Sequence, residues 1–507
     1  MMAPCITTIR RHDARANPIP DTVQPRHREA AMLMPTPIPG TSLAGMLARQ
    51  RAAFDAEPMP AWQARADRLR RLLALTHRCE AQFIAAIDAD FSGRSAHESR
   101  LAELFVVRAG IRHALRHLRG WMRPRRVPTQ MHFLPGGNRL LPQPLGVVGV
   151  VAPWNYPLQL ALGPAVAALA AGNRVLIKPS ELTPRFADAL SRAVSDAFDP
   201  SEVAVVTGDA EVARAFVELP FDHLFFTGST AVGRQVAQAA AKSLVPVTLE
   251  LGGKSPAIID ASCDLGEALP RIAFGKLLNA GQTCIAPDYL LVPAGQGEPV
   301  AHGLAAAMGR LYPRLRDNPD YTSIVSDRHR QRLLALLDDA RAQGARVIEV
   351  NPAGEDFSHG TRKLPPVLVL GATAQMRLMQ DEIFGPVLPI VEVADTGAAI
   401  AHVRAGDPPL ALYWFGRDRA AEGRVLNGTL AGGVTVNDCL WHLAQEHQPF
   451  GGVGASGQGA YHGRWGFDRL SHLKPVFRQA RLNGTAMFHP PYGKTFERLL
   501  GLLERLA

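Results

Sequence analysis

Cysteine is scarce: the 507 residues hold five, at Cys5, Cys79, Cys263, Cys284 and Cys439. The number is odd, the spacings are wide and no Cys-x-x-Cys pair occurs, which argues against a disulfide scaffold and a structural zinc cluster and suits a reducing compartment. A carboxylate-rich magnesium motif is also missing. His442, His447 and His462 flank a C-terminal glycine-rich stretch without compact ligand spacing, so no metal is expected. Met1 to Asp21 mixes charges and prolines and lacks the continuous apolar segment of a signal peptide. The long uncharged stretch Leu145–Asn173 contains Pro153, Asn155, Pro157, Gln159, Gly163 and Pro164, turn-forming text that argues against a membrane span. Aromatics are not interleaved with the basic groups Arg65–Arg71 and Arg123–Arg126. Despite a formal charge of +9, these groups read as solvated faces, and no nucleic-acid partner is expected.

What is present is an alternation. A chain of 507 residues exceeds one hydrophobic core, so two or three domains are expected. Residues 1–40, rich in Pro, Arg and Ala, read as a mobile arm. Leu43–Leu118 carries helical periodicity. Pro124, Pro128, Pro135 and Gly136-Gly137 then break it and leave room for a hairpin around His132-Phe133 and Arg139-Leu140. Short apolar runs follow at Val147–Val151, Arg174–Ile177, Val203–Val206 and His223–Phe226, separated by amphipathic helices. This is the βαβ pattern of a mainly parallel sheet. The pattern resumes with strands at Ala257–Ile259, Tyr289–Val292, Val367–Leu370 and Val387–Val391, and helices at Leu265–Leu278 and Arg328–Gln343. The reading is an α/β chain of two open domains with a boundary near Pro246–Gly253.

Several stretches suggest chemistry without deciding it. Phe225-Phe-Thr-Gly-Ser-Thr-Ala-Val-Gly233 puts a glycine turn between a strand and a helix, where free N–H groups attract phosphate. Its GxxxxG spacing suits a tight turn equally well. Lys178-Pro-Ser-Glu181 closes a strand, where parallel sheets bind ligands, or simply marks charges at a helix start. Glu250, within Val247-Thr-Leu-Glu-Leu251, is either a desolvated base or a paired structural charge. Cys284 lies in Asn279-Ala-Gly-Gln-Thr-Cys284 and fits a buried hydrophobe as well as a nucleophile. The other four cysteines read as bland.

Taken together, Pro153-Trp-Asn-Tyr-Pro157, Lys178-Pro-Ser-Glu181, Phe226-Thr-Gly-Ser-Thr230, Leu249-Glu-Leu-Gly-Gly253, Asn279–Cys284, Glu382-Ile-Phe-Gly-Pro386 and Pro449-Phe-Gly-Gly-Val-Gly454 resemble the aldehyde dehydrogenase superfamily, in the family's order, over roughly residues 45–485. Gly281–Tyr289 and Gly459-Ala-Tyr-His-Gly463 with Phe467 look like its class 3 branch, and the chain is similar there to bacterial coniferyl aldehyde dehydrogenases. The resemblance implies Cys284 as nucleophile, Asn155 and the Cys284 N–H as oxyanion hole, and Glu250 as base. It implies NAD, with NADP possible, held through Trp154, Lys178, Ser180, Glu181, Gly228, Ser229, Gly233, Leu251, Gly252, Glu382 and Phe384. Of these, Lys178 and Glu181 would meet the adenosine ribose, Gly228, Ser229 and Gly233 the adenine and pyrophosphate, and Glu382 and Phe384 the nicotinamide riboside.

The implied fold has a cofactor domain at 41–249, interrupted by an oligomerisation hairpin at 122–145, and a catalytic domain at 250–450. A return to the cofactor domain follows at 451–470 and an oligomerisation segment at 471–507. A cytoplasmic homodimer is expected. Trp154, Tyr156 and Ile285 suggest an apolar, partly aromatic tunnel mouth. It suits coniferyl and other aromatic aldehydes, with medium-chain fatty aldehydes as the alternative. Glu181 would repel a 2′-phosphate, which favours NAD. The rivals are a coenzyme A-acylating dehydrogenase, a non-catalytic homologue and a Cys–His hydrolase.

Overall fold

The computed structural model describes residues 42–506; the expected arm at 1–40 lies outside them. Helices Leu43–Ala56, Trp62–Arg78, Glu80–Phe91 and Val106–Trp121 come first. The hairpin follows: Arg139-Leu140 lies in β2 (Gly137–Pro144), as expected, whereas His132-Phe133 belongs to a short 3₁₀ turn and the antiparallel partner strand is β1 (Arg125–Val127). Five strands then alternate with helices: β3 (Val147–Val151), β4 (Arg174–Lys178), β5 (Val203–Val205), β6 (His223–Thr227) and β7 (Val247–Glu250). A second set comprises β8 (Pro256–Ile259), β9 (Tyr289–Pro293), β10 (Arg346–Glu349), β11 (Val367–Leu370), β12 (Val387–Val393), β13 (Ala411–Phe415) and β14 (Gly433–Val436). β15 (Gly457–Gln458) and β16 (Ser471–Arg478) close the list.

Three sheets result, in the orders β1-β2-β16, β15-β7-β6-β3-β4-β5 and β10-β11-β12-β9-β8-β13-β14. The two large sheets are parallel except at an edge, where β15 and β10 run antiparallel. β4, β6 and β13 are buried at every residue, which is why their sequences are continuous apolar runs with no alternation. Sequence periodicity misses β10, β13 and β14, because Arg346–Glu349 is a mostly exposed edge and β13 and β14 are runs of only five and four residues, too short to show a period.

The uncharged stretch at 145–173 is β3, a loop and the buried helix Pro157–Ala171. Among the described residues no helix is long and apolar enough to cross a membrane. Arg65 and Arg68 correct the expectation of a solvated face, being 2% and 3% exposed. Arg65 donates to the carbonyl of Ala171 at 2.6 Å, at the C-terminus of that buried helix, where a cation meets the negative end of the dipole. Burial lowers the Arg65 pKa to about 10. Arg68 pairs with Glu202 at 2.8 Å.

The carboxyl ends of β3, β6 and β7 face the amino ends of β8, β9 and β12 across a cleft of about 980 Å³ lined from both sheets. On the first sheet this is the point between β3 and β6 where strand order reverses, the usual ligand crevice of open α/β sheets.

Candidate active site

The cysteine loop is built from left-handed backbone. After the helix Leu265–Leu277 the chain turns through Asn279, Ala280 and Gly281 at φ of +55°, +51° and +74°. A Cβ on Gly281 would lie 2.3 Å from the Gly385 carbonyl oxygen, so only glycine fits there. The Asn279 N–H donates to both Glu98 carboxylate oxygens at 3.1 and 3.2 Å. Its side-chain amide donates to the carbonyls of Asn155 and Gln282 at 3.0 and 3.1 Å. Buried Gln282 ties the loop to Ser323 and Val325. Cys284 is thereby held, half-buried, on the cleft wall. Burial, reinforced by the Glu250 and Glu382 carboxylates, pushes its thiol well above the ordinary range.

Asn155 follows β3 and is held just as firmly. Its amide Nδ2 donates to the Gln282 carbonyl at 3.2 Å, two residues from Cys284. Its carbonyl accepts from Arg94 Nη1 at 2.9 Å. The Arg94 side chain is fully buried between the rings of Phe91 and Tyr156 and lies 3.0 Å from Glu103. Glu103 accepts the N–H groups of Leu158 and Gln159, at the first turn of the helix Pro157–Ala171, at 2.6 and 3.2 Å. Tyr156 and Thr283 share a hydroxyl hydrogen bond of 2.7 Å, which locks the Asn155 loop to the cysteine loop.

Two carboxylates complete the cleft. Glu250 ends β7, is 1% exposed, and neither carboxylate oxygen has a hydrogen-bond partner among the described residues. Burial alone raises its pKa well above the usual carboxylate range. Glu382 precedes β12, and burial, then Asp288, pushes its carboxyl to about 8. A Cβ on Gly252 would fall 2.2 Å from Glu382 Oε2, so the glycine gives that carboxylate its place. Phe384 meets Trp154 edge to face at 5.4 Å, and His329 packs on the same indole at 5.0 Å.

Cys284, Glu250, Asn155, Trp154, Gly228, Ser229, Leu251, Gly252, Glu382 and Phe384 all line the one cleft. Lys178, Ser180, Glu181 and Gly233 do not. Lys178 ends β4, one strand beyond β3, with its ammonium on the Pro179 carbonyl at 2.7 Å, while Glu181 is exposed. Gly233 lies within its helix against Leu251, where a Cβ would fall 2.5 Å from Cδ2. Of the residues expected at a tunnel mouth, Trp154 lines the cleft, whereas Tyr156 and Ile285 are buried and do not. Of the remaining cysteines, Cys79 and Cys439 are buried and Cys263 is half-buried, all free thiols; Cys5 lies outside the described residues. The three C-terminal histidines do not form one group. His442 and His462 pack on Phe450, whereas His447 stands beside His113 and His117.

The sequence from residue 42 to 476 matches the aldehyde dehydrogenase family. The chain belongs to that family. It is 48% identical over 458 residues to a probable coniferyl aldehyde dehydrogenase of Pseudomonas aeruginosa, covering 90% of this chain and 95% of the relative. The coniferyl aldehyde dehydrogenase of Pseudomonas sp. strain HR199 is 42% identical over 470 residues, covering 92% and 97%. The solved substrate-bound AldH of Staphylococcus aureus superposes with a TM-score of 0.85 at 36% identity, covering 90% and 98%.

As an NAD(P)-dependent aldehyde dehydrogenase, the chain requires a dinucleotide site, and the cleft fits one. It has the volume, the glycines Gly228 and Gly252 for close backbone approach, and Ser229 as N-cap of the helix Thr230–Ala241 with that helix's open N–H groups. The Glu382 carboxylate, facing the cleft, suits sugar hydroxyls. Sequence reasoning missed the supports of this dehydrogenase site: Arg94, Glu98, Glu103, Asp288, and Arg332, whose guanidinium donates to the Glu382 and Ile383 carbonyls. Glu98 caps and Glu103 lies within a π-helical turn, Ser99–Phe105, that carries both carboxylates inward at a spacing helical periodicity does not read. Asp288, four residues after Cys284, accepts the Ile383 N–H at 2.9 Å and so links the cysteine loop to Glu382; its place inside the cysteine motif was the available signal.

Proposed function

We propose that this aldehyde dehydrogenase oxidises an aromatic, coniferyl-type aldehyde to its acid, with Cys284 as nucleophile, Asn155 as oxyanion donor and Glu250 as base. The observation that carries the assignment is the convergence of Cys284, Asn155 and the unpartnered Glu250 carboxylate on one cleft. The Cys284 thiol loses its proton and its sulfur bonds to the carbonyl carbon. The carbonyl oxygen becomes an alkoxide that Asn155 Nδ2 and the Cys284 N–H stabilise by on the order of 3 kcal/mol per donor. When bound, NAD(P) would supply the acceptor for the hydride that the former carbonyl carbon loses, and Cys284 would then carry the acyl group as a thioester. Glu250 then takes a proton from the water that attacks the thioester, and the acid departs as the Cys284 sulfur regains its proton. With its thiol raised by burial, Cys284 needs a base, and the same Glu250 is the candidate, passing the thiol proton to solvent before it takes the proton of the hydrolytic water.

The aromatic substrate class rests on the two Pseudomonas relatives and on the Trp154–Phe384 pair in the cleft wall. Medium-chain fatty aldehydes remain the second reading, because Tyr156 and Ile285 add no ring or branch to the cleft. Glu181, exposed three residues beyond β4 and outside the cleft lining, favours NAD over NADP where the adenosine end of the dinucleotide extends past the cleft to β4. The six-stranded sheet is assigned to cofactor binding, the seven-stranded sheet to catalysis and the three-stranded sheet to homodimer contact. NADH absorbance over coniferyl aldehyde, benzaldehyde, hexanal and succinic semialdehyde, with NAD and NADP in parallel, tests the proposal. Coniferyl aldehyde is expected to give the highest kcat/KM and Cys284→Ala no turnover. Preference for succinic semialdehyde sinks the substrate reading, and an active Cys284→Ala sinks the mechanism.

A further inference from the structure

On the face of the helix Val106–Trp121, His113 and His117 stand one turn apart, and the segment leading to the glycine loop brings His447 against them. One nitrogen from each ring lies within 4.8 Å of the other two. Ring centroids are 4.5 Å apart for His113–His117, 4.6 Å for His113–His447 and 5.7 Å for His117–His447. His113 is buried, His117 half-buried and His447 exposed.

The backbone around the trio is shaped for this approach. Gly463, at φ +45°, would place a Cβ 2.1 Å from the Glu446 carbonyl oxygen and 3.1 Å from His113 Nε2. Gly110, one turn before His113, would place a Cβ 2.9 Å from the Glu446 carboxylate. That carboxylate accepts the Gly463 N–H at 3.1 Å. Two glycines and one hydrogen bond therefore seat Glu446, and Glu446 sets His447 on the helix.

We propose that His113, His117 and His447 form a binding site for one divalent transition-metal ion, Zn²⁺ being the best fit, with the fourth position open to solvent beside His447. Residues four apart on a helix face one way, the spacing that lets two histidines share an ion. Three imidazoles without thiolate or carboxylate suit Zn²⁺, Co²⁺, Ni²⁺ or Cu²⁺ and not Mg²⁺ or Ca²⁺. Zinc–nitrogen bonds of about 2.0–2.1 Å require nitrogens roughly 3.3 Å apart. Rotation of the exposed His447 side chain can supply the closure. The ion would clamp this helix to the segment ending at Phe450, whose backbone pairs with Tyr461. The same helix continues from the π turn that carries Glu103, so the clamp would stiffen the scaffold behind Asn155.

The test uses the full chain with Cys284→Ser, which removes a thiol able to bind soft metals itself. Co²⁺ is followed by its visible absorption and Zn²⁺ by calorimetry and by its effect on Tm. One equivalent should bind, with a tetrahedral Co²⁺ band and a zinc-dependent rise in Tm. His117→Ala and His447→Ala should each weaken binding by at least roughly tenfold, on the scale seen when metal sites lose supporting groups. Their Tm in EDTA should match the parent's, which separates a lost ligand from a damaged fold; His447, being exposed, is the variant expected to keep the fold in any case. Absence of binding at micromolar Co²⁺ or Zn²⁺, or binding unchanged in His447→Ala, overturns the proposal.

Discussion

Glu250 is the residue on which the proposed mechanism turns, since a buried carboxylate without a partner is held at a cost that a role as general base would offset. Replacing it with glutamine should lower steady-state kcat by ~10²–10⁴-fold, the usual contribution of a general base. If the thiol can still be deprotonated by solvent, a pre-steady-state burst of NADH should survive as the thioester accumulates. In the parent, kcat should fall as pH drops through the raised Glu250 pKa, because only the carboxylate is a base, and this limb should vanish in Glu250→Gln. Stability carries the opposite sign. A raised folded pKa means the folded state holds the proton more tightly, so stability is full below the unfolded value near 4.5 and is lost as pH rises through the folded pKa. Glu250→Gln should therefore unfold at a higher temperature than the parent at about pH 8 and show no advantage at about pH 4. Calorimetry across that range decides it. Gly281 acts sterically instead: Gly281→Ala should push the cysteine loop off the Gly385 carbonyl and cut kcat by roughly 100-fold, the scale of an ångström's misplacement of a reacting group. Slowed or accelerated alkylation of Cys284 by iodoacetamide, beside a native circular dichroism spectrum, would report the displaced loop.

At the scale of elements, the π turn Ser99–Phe105 organises what the sheets leave loose. Glu98 reaches Asn279 and Thr322, while Glu103 reaches Arg94 and the start of the helix Pro157–Ala171, so one turn holds both the cysteine loop and the Asn155 loop. Burial raises the Glu103 pKa against the pull of Arg94, so desolvation outweighs the pairing and the pair serves geometry more than stability. Breaking it is another matter. Arg94→Met leaves the Glu103 carboxyl buried without its cation and frees the Asn155 carbonyl, and should cost about 3–5 kcal/mol in urea unfolding. Arg94→Met with Glu103→Gln should recover part of that loss, while kcat stays depressed because the Asn155 loop has lost its anchor. Equal stability of the single and double variants would show that the charge contact does not matter.

For the molecule as a whole, the three-stranded sheet is the part that belongs to neither core. β16 pairs with β2 along eight residues and binds the C-terminal segment to the hairpin, yet Met131, Phe133, Leu134 and Phe477 stay exposed on it. Apolar side chains gathered in this way are where the proposed homodimer contact would fall. Leu134→Asp with Phe477→Asp should shift the molar mass in light scattering from dimer to monomer and leave the unfolding midpoint of the two large sheets nearly unchanged. A parent chain already monomeric would refute the dimer assignment.

The sequence by itself determined the alternation of apolar runs and amphipathic helices, and hence the α/β class, because strands buried on both faces must be apolar throughout. Its motifs also carried the family and named Cys284, Asn155, Glu250 and Glu382, since the proposed reaction needs a thiol, an amide donor and carboxylates, and those residue types stand in those motifs. Tertiary structure decided the rest. Arg94, Glu98, Glu103 and Asp288 look like ordinary surface charges until long-range packing buries them, and Arg65 and Arg68 read as solvated for the same reason. Lys178 and Glu181 share a motif with no visible displacement, yet their distance from the cleft depends on strand order. The histidine trio is the plainest case: local spacing groups His447 with His442 and His462, whereas the fold sets it on a helix from another part of the chain. Desolvation, partner choice and left-handed loop geometry are properties of contacts between distant segments, and local spacing carries no record of them.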